Sequence, residues 1–397
     1  MAVVWVGRGN NVTSTRNDLP ETWNLILETL NYPSGSQPDE RLFGNTLTQG
    51  VYMSVSIKCL KAEHGDAFII TVGQGDDLHY IVVDGGPSSK FCIEDVVEEL
   101  KAIPYIDLMI LTHFDDDHIA GLLAYLKAYK DTTLPVREIW ANCSKELRVH
   151  TSSDISYSQA NTLDEYLNTF CSKQELIRKD IINNTLPKMD LGFCKIQVLA
   201  PTSTALQTNL NQYICTNATI ASRRVDNDRD LSLEELAKRE HKESADGDDV
   251  INRSSIAFQF EAEGKTVLMM GDADPWIVYH KLVDLGYSEN APLKADLMKV
   301  SHHGSRNNTC MQLLNILDCN KFLFSTNGGF GNSYHPDRET LAKLLISAKR
   351  KEASQVCLYF NYPKETIERR TGILLTEKEL QDYNCIVNDD VDTILIS

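Results

Sequence analysis

Apolar residues recur in short segments along the chain after residue 53, and polar or glycine-containing breaks separate these segments. The first segments predict three successive strands that open a sheet in antiparallel order, at 55–60, 67–73 and 79–83. The following segments predict a helix, a fully buried strand and a second helix, at 93–102, 108–111 and 119–129. An acidic loop joins this strand to the second helix, and α/β enzymes often carry functional residues in such loops.

The rest of the chain continues with mixed strands and helices. Strands are predicted at 136–141, 195–199, 255–261, 266–270, 296–300 and 321–325, and helices within 159–182 and at 275–286, 309–317 and 337–349. Two similar halves of this kind predict an α/β fold with two sheets sandwiched between helices. We also predict an N-terminal extension at 1–50, a single domain at 51–397 and, within it, a polar surface insertion with one exposed helix at about 203–250.

The composition is that of a globular, acidic protein. With 397 residues, 42% of them hydrophobic, the chain can bury a large core. Its net charge of −17 argues against a surface that binds nucleic acid mainly by neutralising phosphates, although a local basic patch or a metal could still hold one. Ten cysteines without a CxxC pair predict reduced thiols and a cytoplasmic location. No segment approaches the roughly 20 apolar residues needed to cross a bilayer, so no membrane association is expected.

The strongest chemical signal is the segment LTHFDDDHIAGL at 111–122. His113, Asp115, Asp117 and His118 fall within six residues at the end of a buried apolar strand. Crowded carboxylates and imidazoles are unfavourable in a partly buried site unless a divalent cation coordinates them. An acidic helix N-cap would explain one or two of the aspartates, but it would not explain the flanking histidines.

This segment resembles the HxHxDH signature of the metallo-β-lactamase superfamily in an HxDxDH form, which is similar to that in the hydrolase domain of ComEC-type DNA-uptake proteins. The resemblance extends in chain order over about residues 54–350. It includes HGDA at 64–67, VVDGG at 82–86, NRSSIAF at 252–258, MMGDAD at 269–274, LMKVSHHGS at 297–305 and YHPD at 334–337. It implies an αββα sandwich with a metal centre that Asp272 bridges.

The candidate metal ligands are His113, Asp115, Asp117, His118, Asp272 and His302. We favour His302 over His303 because adjacent side chains after a strand are not expected to point inward together. Asp84 is expected to brace the site or to occupy a tight turn, and Asn252 and Ser255 to pin the loops.

Four residues are candidates for a catalytic role. Asp117 would orient the attacking water besides binding metal. His335, and less directly Lys299 and His303, would stabilise charge on the substrate or protonate the leaving group.

The sequence departs from the superfamily pattern in one respect. Many members carry a further histidine ligand between the first motif and the bridging aspartate, and this interval offers only His150 and His241, neither in a comparable motif. With Asp115 in place of a histidine, the site is richer in oxygen. One or two ions are expected, and zinc, manganese and, as a third candidate, magnesium stay open.

These features predict a metal-dependent hydrolase that uses activated water. The resemblance favours a phosphodiesterase or nuclease acting on DNA or another nucleic acid, and a free-standing defence effector would fit a chain without a membrane channel. The alternatives are a hydrolase of small phosphate esters, nucleotides or amides, with a closed pocket under the 203–250 insertion, and a non-catalytic metal-binding scaffold.

Overall fold

Two β-sheets organise the chain in the computed structural model, which describes residues 54–144, 155–211, 226–243, 250–350 and 355–396. The extension predicted at 1–50 and parts of the predicted insertion lie outside these residues, as does His150. Described residues from 54 onward all belong to one compact unit, Tyr52–Ser397.

The first sheet begins as an antiparallel meander and becomes parallel from its third strand onward. Its strands are β1 (Ser54–Cys59), β2 (Phe68–Gln74), β3 (Asp77–Val83), β4 (Ile106–Leu111), β5 (Val136–Ala141), β6 (Ile177–Lys179) and β17 (Thr393–Ile396), in the order β17-β1-β2-β3-β4-β5-β6. The helices that follow β3, β4 and β5 are α1 (Lys90–Ala102), α2 (Asp116–Ala128) and α3 (Ile155–Lys173).

The second sheet has eight strands. They are β7 (Met189–Asp190), β8 (Lys195–Ala200), β9 (Ala257–Ala262), β10 (Lys265–Met269), β12 (Leu297–Lys299), β14 (Lys321–Phe324), β15 (Val356–Phe360) and β16 (Cys385–Asn388), in the order β16-β15-β14-β12-β10-β9-β8-β7. The short strands β11 (Leu293–Lys294) and β13 (Leu317–Asp318) pair separately.

The remaining described α-helices are interspersed with these strands. They are α4 (Ser203–Asn211), α5 (Leu233–Ala237), α6 (Val250–Arg253), α7 (Pro275–Asp284), α8 (Met311–Asn315), α9 (Arg338–Arg350), α10 (Lys364–Thr371) and α11 (Glu377–Asp382).

Three apolar clusters define the layers. One lies between the sheets and joins side chains such as Ile57 and Ile110 of the first sheet to Phe258 and Met269 of the second. A second cluster joins the opposite face of the first sheet to α1, α2 and α3, and a third joins the second sheet to α7, α8 and α9. Because the helices cover both outer faces, the predicted sandwich of two mixed sheets between helices is confirmed.

The sequence pattern predicts ten of the strands up to residue 325, but it misses the short strands β6, β7, β11 and β13 and all strands after residue 350. Strand β6 lies within the range 159–182 predicted as helical, because α3 ends at Lys173. Strands β15 and β16 extend the second sheet, and β17 returns to pair with β1, where Ile57 faces Ile394. The helix predicted in the 203–250 insertion is not fully exposed, because α5 buries Leu233 and Leu236 and packs against α9.

The described residues also bear on the expectations about membrane segments and disulfide bonds. None of the described helices is long and apolar enough to cross a membrane. The nine cysteines that the structure describes form no disulfide with one another.

Candidate metal centre

The first motif lies where β4 gives way to α2. All six residues of β4 are buried, and the chain leaves the strand with His113 also buried. Asp115 occupies the N-cap position of α2, and His118 turns inward from its first turn. The intervening Asp116 points away, because its carboxylate accepts hydrogen bonds from Ser88 and Gln159.

Asp272 enters from the second sheet, three residues after β10. Two features fix the backbone that carries Asp272. Gly271 has a φ of +50°, and Ser255 Oγ accepts a hydrogen bond from the Asp272 N–H at 3.0 Å. Ser255 therefore pins the loop, as predicted. The Asp272 carboxylate is buried and faces three imidazole rings, those of His118, His302 and His303.

The adjacent histidines after β12 both reach the centre. Their Nε2 atoms lie 3.8 Å (His302) and 3.7 Å (His303) from Asp272 Oδ2. This is achieved by left-handed backbone at both positions, with φ of 47° and 53°, which non-glycine residues adopt rarely and which is common at functional sites. The expectation that only one of the two could point inward is wrong, because it assumed extended backbone.

Side chains from three separate segments converge here. His113, His118 and Asp272 offer ligand atoms within 4.8 Å of one another, and so do Asp117, His118 and His303. Of the other predicted ligands, Asp115 Oδ2 lies 3.8 Å from His113 Nε2. The six predicted ligands and His303 are thus all in one cluster.

Four histidine rings of the cluster share one pattern of hydrogen bonding. Each Nδ1 has a hydrogen-bond partner outside the cluster: Thr112 Oγ1 at 3.1 Å for His113, Asp84 Oδ2 at 2.8 Å for His118, Asn308 Oδ1 at 3.1 Å for His302 and the Ser325 carbonyl at 2.9 Å for His303. An Nδ1–H that donates leaves the Nε2 lone pair free for a metal. The Nε2 atoms of His113, His118 and His303 are buried and make no hydrogen bond to any described residue.

The spacing of these groups fits a divalent cation. Between His118, His303, Asp117 and Asp272 the nitrogen-to-oxygen distances are 3.5–3.9 Å, which is too long for hydrogen bonds. Two ligands about 2.1 Å from a tetrahedral ion lie roughly 3.4 Å apart. Because buried polar atoms without partners are rare and unfavourable, these groups are arranged as they would be if they held a cation.

Electrostatics keeps the carboxylates ionised despite their burial. Burial alone would raise the pKa of Asp272, but the rings around it, beginning with His302 and His118, hold that pKa well below its usual value. Burial likewise acts against ionisation of Asp117, and there His118 and His303 lower the pKa. Both carboxylates are therefore available as anionic ligands.

The imidazoles divide into two kinds. Burial would lower the pKa of His118, but Asp272 and Asp117 raise it well above its usual value. Burial acts similarly on His303, whose pKa is raised to about 9, chiefly by Asp272 and then Asp66. For His113, burial and the neighbouring His118 lower the pKa to about 3.

A buried lysine supports the cluster from behind. The Lys299 ammonium, fully buried, contacts the Asp66 carboxylate, donates to the Gly271 carbonyl at 3.0 Å and lies 3.7 Å from Asp272 Oδ1. Sequence reasoning placed Lys299 near the substrate, whereas this position balances carboxylate charge beneath the centre. The sequence analysis assigns no role to Asp66, although the HGDA motif that contains this residue could have indicated one.

Asp84 braces the first motif. Its carboxylate accepts hydrogen bonds from the Thr112 N–H and hydroxyl, both at 2.7 Å, and contacts His118 Nδ1. This is the bracing position that the sequence suggested. The carboxylate orients His118 and leaves the opposite ring nitrogen directed at the cluster.

His335 borders the cluster beside the adjacent histidines, with its ring centroid 5.4 Å from that of His302. Burial lowers its pKa, and Asp337, whose Oδ2 lies 3.7 Å from Nδ1, only partly opposes this. His241, one of the two histidines in the interval without a superfamily motif, instead contacts Glu339 at 2.5 Å and does not join the cluster.

Comparison with known families decides the fold type. Residues 62–180 match the family model described as the metallo-beta-lactamase superfamily, and this stretch includes the first motif with His113, Asp115, Asp117 and His118. The chain has the metallo-β-lactamase fold. Asp272, His302 and His303 lie beyond the matched stretch and complete the cluster from the second sheet of that fold.

Several solved structures are similar to most of the chain at low sequence identity. Unliganded yeast PDE1 is 12% identical, with 86% of this chain and 99% of that chain covered and a TM-score of 0.43. Zn²⁺-bound PqqB from Methylobacterium extorquens is 10% identical, with 85% and 99% covered and a TM-score of 0.41. The metallo-β-lactamase-fold protein YhfI from Bacillus subtilis is 12% identical, with 86% of this chain and 98% of that chain covered and a TM-score of 0.39. No curated protein matches. Likenesses this distant carry no argument about substrate.

Proposed function

We propose that this chain is a metal-dependent phosphodiesterase that hydrolyses DNA or another nucleic acid. One observation carries the proposal: two groups of buried ligand atoms, one from His113, His118 and Asp272 and one from Asp117, His118 and His303, meet in one cluster. Their histidine Nε2 atoms lack hydrogen-bond partners among the described residues. The resemblance of the HxDxDH motif to the ComEC-type hydrolase domain favours a nucleic acid as the substrate class.

The cluster has enough ligands for two ions. Since one imidazole nitrogen binds one ion, His118 would serve with Asp117 and His303, while His113 and Asp115 would hold a second ion. The Asp272 carboxylate would be shared between them, and His302 remains a further ligand on the open side, with 26% of its side chain exposed. The mixture of nitrogen and oxygen donors suits zinc and manganese, with magnesium as a third candidate.

A bound divalent cation would make a water molecule acidic enough to attack at neutral pH and would polarise the phosphoryl oxygen. The protein's own groups orient these reactants. Asp117 is ionised, and a quarter of its side chain is exposed, so it can accept a hydrogen bond from the attacking water. His335, with its lowered pKa, is neutral before substrate binds and can donate one hydrogen bond to a phosphate or leaving-group oxygen.

A phosphate substrate requires positive charge near the centre of this acidic chain. Several arginines lie behind the segment that carries His335: Arg229, Arg306 and Arg338 line a pocket together with Tyr334 and Pro336. Arg306 and Arg338 are paired with carboxylates, whereas Arg229 is exposed and its guanidinium donates to the Thr371 carbonyl. Because Asp228 and Asp337 also line this pocket, the exposed Arg229 is the positive charge there that would support an anionic substrate despite the net charge of −17.

The test is an activity screen with the full-length protein. Metal-free protein is reloaded with Mn²⁺, Zn²⁺ or Mg²⁺ and incubated with single-stranded DNA, double-stranded DNA, RNA and bis(p-nitrophenyl) phosphate. We expect phosphodiester cleavage that a chelator abolishes and that Asp117→Ala removes, while Asp131→Ala, at an exposed turn outside the cluster, retains it. If no phosphodiester is cleaved with any of these metals, while a small ester or lactam is hydrolysed, the proposal fails.

A small-molecule phosphate ester is the second candidate substrate. One observation favours it, because Asp228 and Arg229, from the segment predicted as an insertion, line the pocket next to Tyr334 and Pro336. A nucleotide or phosphate monoester turned over at least about tenfold more efficiently than any oligonucleotide would select this alternative. A folded protein that binds metal and hydrolyses none of these substrates would instead indicate a scaffold.

A further inference from the structure

A glycine-rich loop at residues 327–335, which we call the rim loop, borders the metal centre. Its first residue is held by the turn that precedes Asp66, because the Asn327 N–H donates to the Glu63 carbonyl at 2.8 Å. Its last residue is His335, whose N–H donates back to the Gly328 carbonyl at 3.3 Å. The loop therefore starts beside one wall of the centre and ends beside another.

The rim loop is held in a defined shape. Gly329 has a φ of +100°, and a Cβ there would lie 2.2 Å from the Ser333 carbonyl oxygen, so only glycine allows this close approach. From behind, Arg370 donates to the Gly331 carbonyl at 3.2 Å, and its guanidinium lies 5.5 Å from the centroid of the Tyr334 ring. These contacts fix the position of the residue between the glycines.

That residue is Phe330, which is 69% exposed. Its ring stacks on His64, with the centroids 4.8 Å apart and the planes 18° from parallel. An exposed phenylalanine at a loop tip, with one face on another ring, leaves its second face open to solvent. Loops held beside a site often carry binding residues, so this open ring face can contact a substrate group.

His64 connects this stacked pair to the centre. The next residue, Gly65, lies against Asp117, since a Cβ at Gly65 would come 1.9 Å from the Asp117 carbonyl oxygen. The Asp66 N–H donates to that same carbonyl at 3.1 Å. The ring pair therefore stands at the rim on the side of Asp117, the candidate residue for positioning the attacking water.

We propose that Phe330, supported by His64, is the platform on which a nucleobase next to the scissile phosphodiester stacks. This inference rests on the proposed function, and it adds which part of the substrate is recognised. Every base offers a π-face, so an aromatic platform binds nucleic acid with little sequence preference. The stacking contact itself does not depend on positive charge, so it can add to binding on a chain whose net charge is −17.

The test measures binding rather than turnover. Calorimetry with the Mn²⁺-loaded full-length protein compares thymidine 5′-monophosphate, which has a base, with 2-deoxyribose 5-phosphate, which lacks it. We expect the wild type to bind the nucleotide about tenfold more tightly, Phe330→Ala to remove this difference, and Phe330→Trp to retain it. Deoxyribose phosphate should bind all three proteins equally.

The matched control is Tyr105→Ala. Tyr105 is also an exposed aromatic residue, at 47%, but it precedes β4, at the end of the strand opposite His113. This variant should keep the wild-type preference. Equal binding of the two ligands by the wild type, or no measurable binding of the nucleotide, would overturn the platform. Phosphodiester cleavage in the separate activity screen would still stand in that case, so the two failures are distinguishable.

Discussion

Two clusters of buried and partly buried charge lie within the fold, and they differ in how their charges are matched. In the metal centre, the Nε2 atoms of His113, His118 and His303 lack hydrogen-bond partners among the described residues. In the other, which we call the glutamate cluster, positive and negative groups alternate within 3.4 Å. It runs through Lys343, His241, Glu339, Arg239, Asp228, Arg306 and Asp337.

The difference teaches how to distinguish a structural cluster from a functional one. In the glutamate cluster, Lys343 Nζ lies 2.8 Å from Glu339 Oε1 and also donates to the Thr309 carbonyl, so its charge is satisfied within the chain. In the centre, the distances of 3.5–3.9 Å leave space for a further charge between the groups. Burial and charge alone would not have separated the two clusters, whereas hydrogen-bond satisfaction does.

The largest expected effect comes from removing the ligand that both groups in the centre share. His118→Ala should remove at least the ion that this ring would hold with Asp117 and His303, so the metal content of the purified protein should fall to about half or less of the wild-type value. The substitution should reduce hydrolytic activity by about 10³-fold or more, because metal assistance contributes several kcal/mol to catalysis. Elemental analysis and rate measurements on the same preparation check both.

The matched variant for this experiment is His280→Ala. The side chain of His280 is 54% exposed on α7, so this protein should keep its full metal content and activity. Folding of both variants is compared by circular dichroism. A folded His118→Ala protein with undiminished metal content would contradict the assignment of the centre.

The second largest expected effect is a loss of stability when the glutamate cluster is disrupted. Glu339→Gln leaves the buried Lys343 ammonium without its carboxylate partner, so the free energy of unfolding should fall by about 3 kcal/mol. Urea denaturation measures this. Metal content should not change, and Glu365→Gln, at an exposed position on α10, should cost less than about 0.5 kcal/mol. Loss of metal from Glu339→Gln would show that the two clusters are not independent.

The smallest effect is a pH dependence at the edge of the glutamate cluster. Burial would raise the pKa of Asp337, but His335 and Arg306 lower it to about 2. A carboxyl whose folded-state pKa is depressed stabilises the fold above its unfolded pKa, near 4, and loses this contribution as the pH falls toward 2. Asp337→Asn should therefore reduce stability by about 2 kcal/mol at pH 7.

The same comparison at lower pH sharpens this prediction. The stability difference between wild type and Asp337→Asn should shrink steadily below about pH 4 in urea titrations, because the wild-type carboxyl becomes protonated there. A difference that stays constant down to pH 2 would mean that the Asp337 charge is not what stabilises the fold.

Sequence reasoning found the first motif because its ligands are local. His113, Asp115, Asp117 and His118 are neighbours in the chain, so periodicity and residue type were sufficient. His302 and His303 both reach the centre because each has a left-handed backbone conformation, which no apolar pattern encodes. Asp66 was missed as a site residue for a related reason, since its importance comes from contact with Lys299, far away in sequence.

The fold shows the same limit. Strands β1–β5, β8–β10, β12 and β14 have strong apolar patterns and lie within a few residues of their predicted bounds, whereas the two- or three-residue strands β6, β7, β11 and β13 are too short to show a pattern and are not predicted. In β17, Ile394 and Ile396 are buried while Leu395 is 68% exposed, so the pattern does alternate, but the strand is only four residues long. Its assignment depends on pairing with β1, a contact that a local pattern cannot reveal.

The pairing of β1 with β17 has a consequence for how the protein is made. The first described strand has its outer neighbour in the last one, with Val55 opposite Ile396, so that edge of β1 stays bare on the ribosome until translation reaches the end of the described chain. A nascent or prematurely terminated polypeptide would present an open strand edge, on which separate chains readily associate. Synthesis of β17 is therefore also the step that shields β1 from self-association.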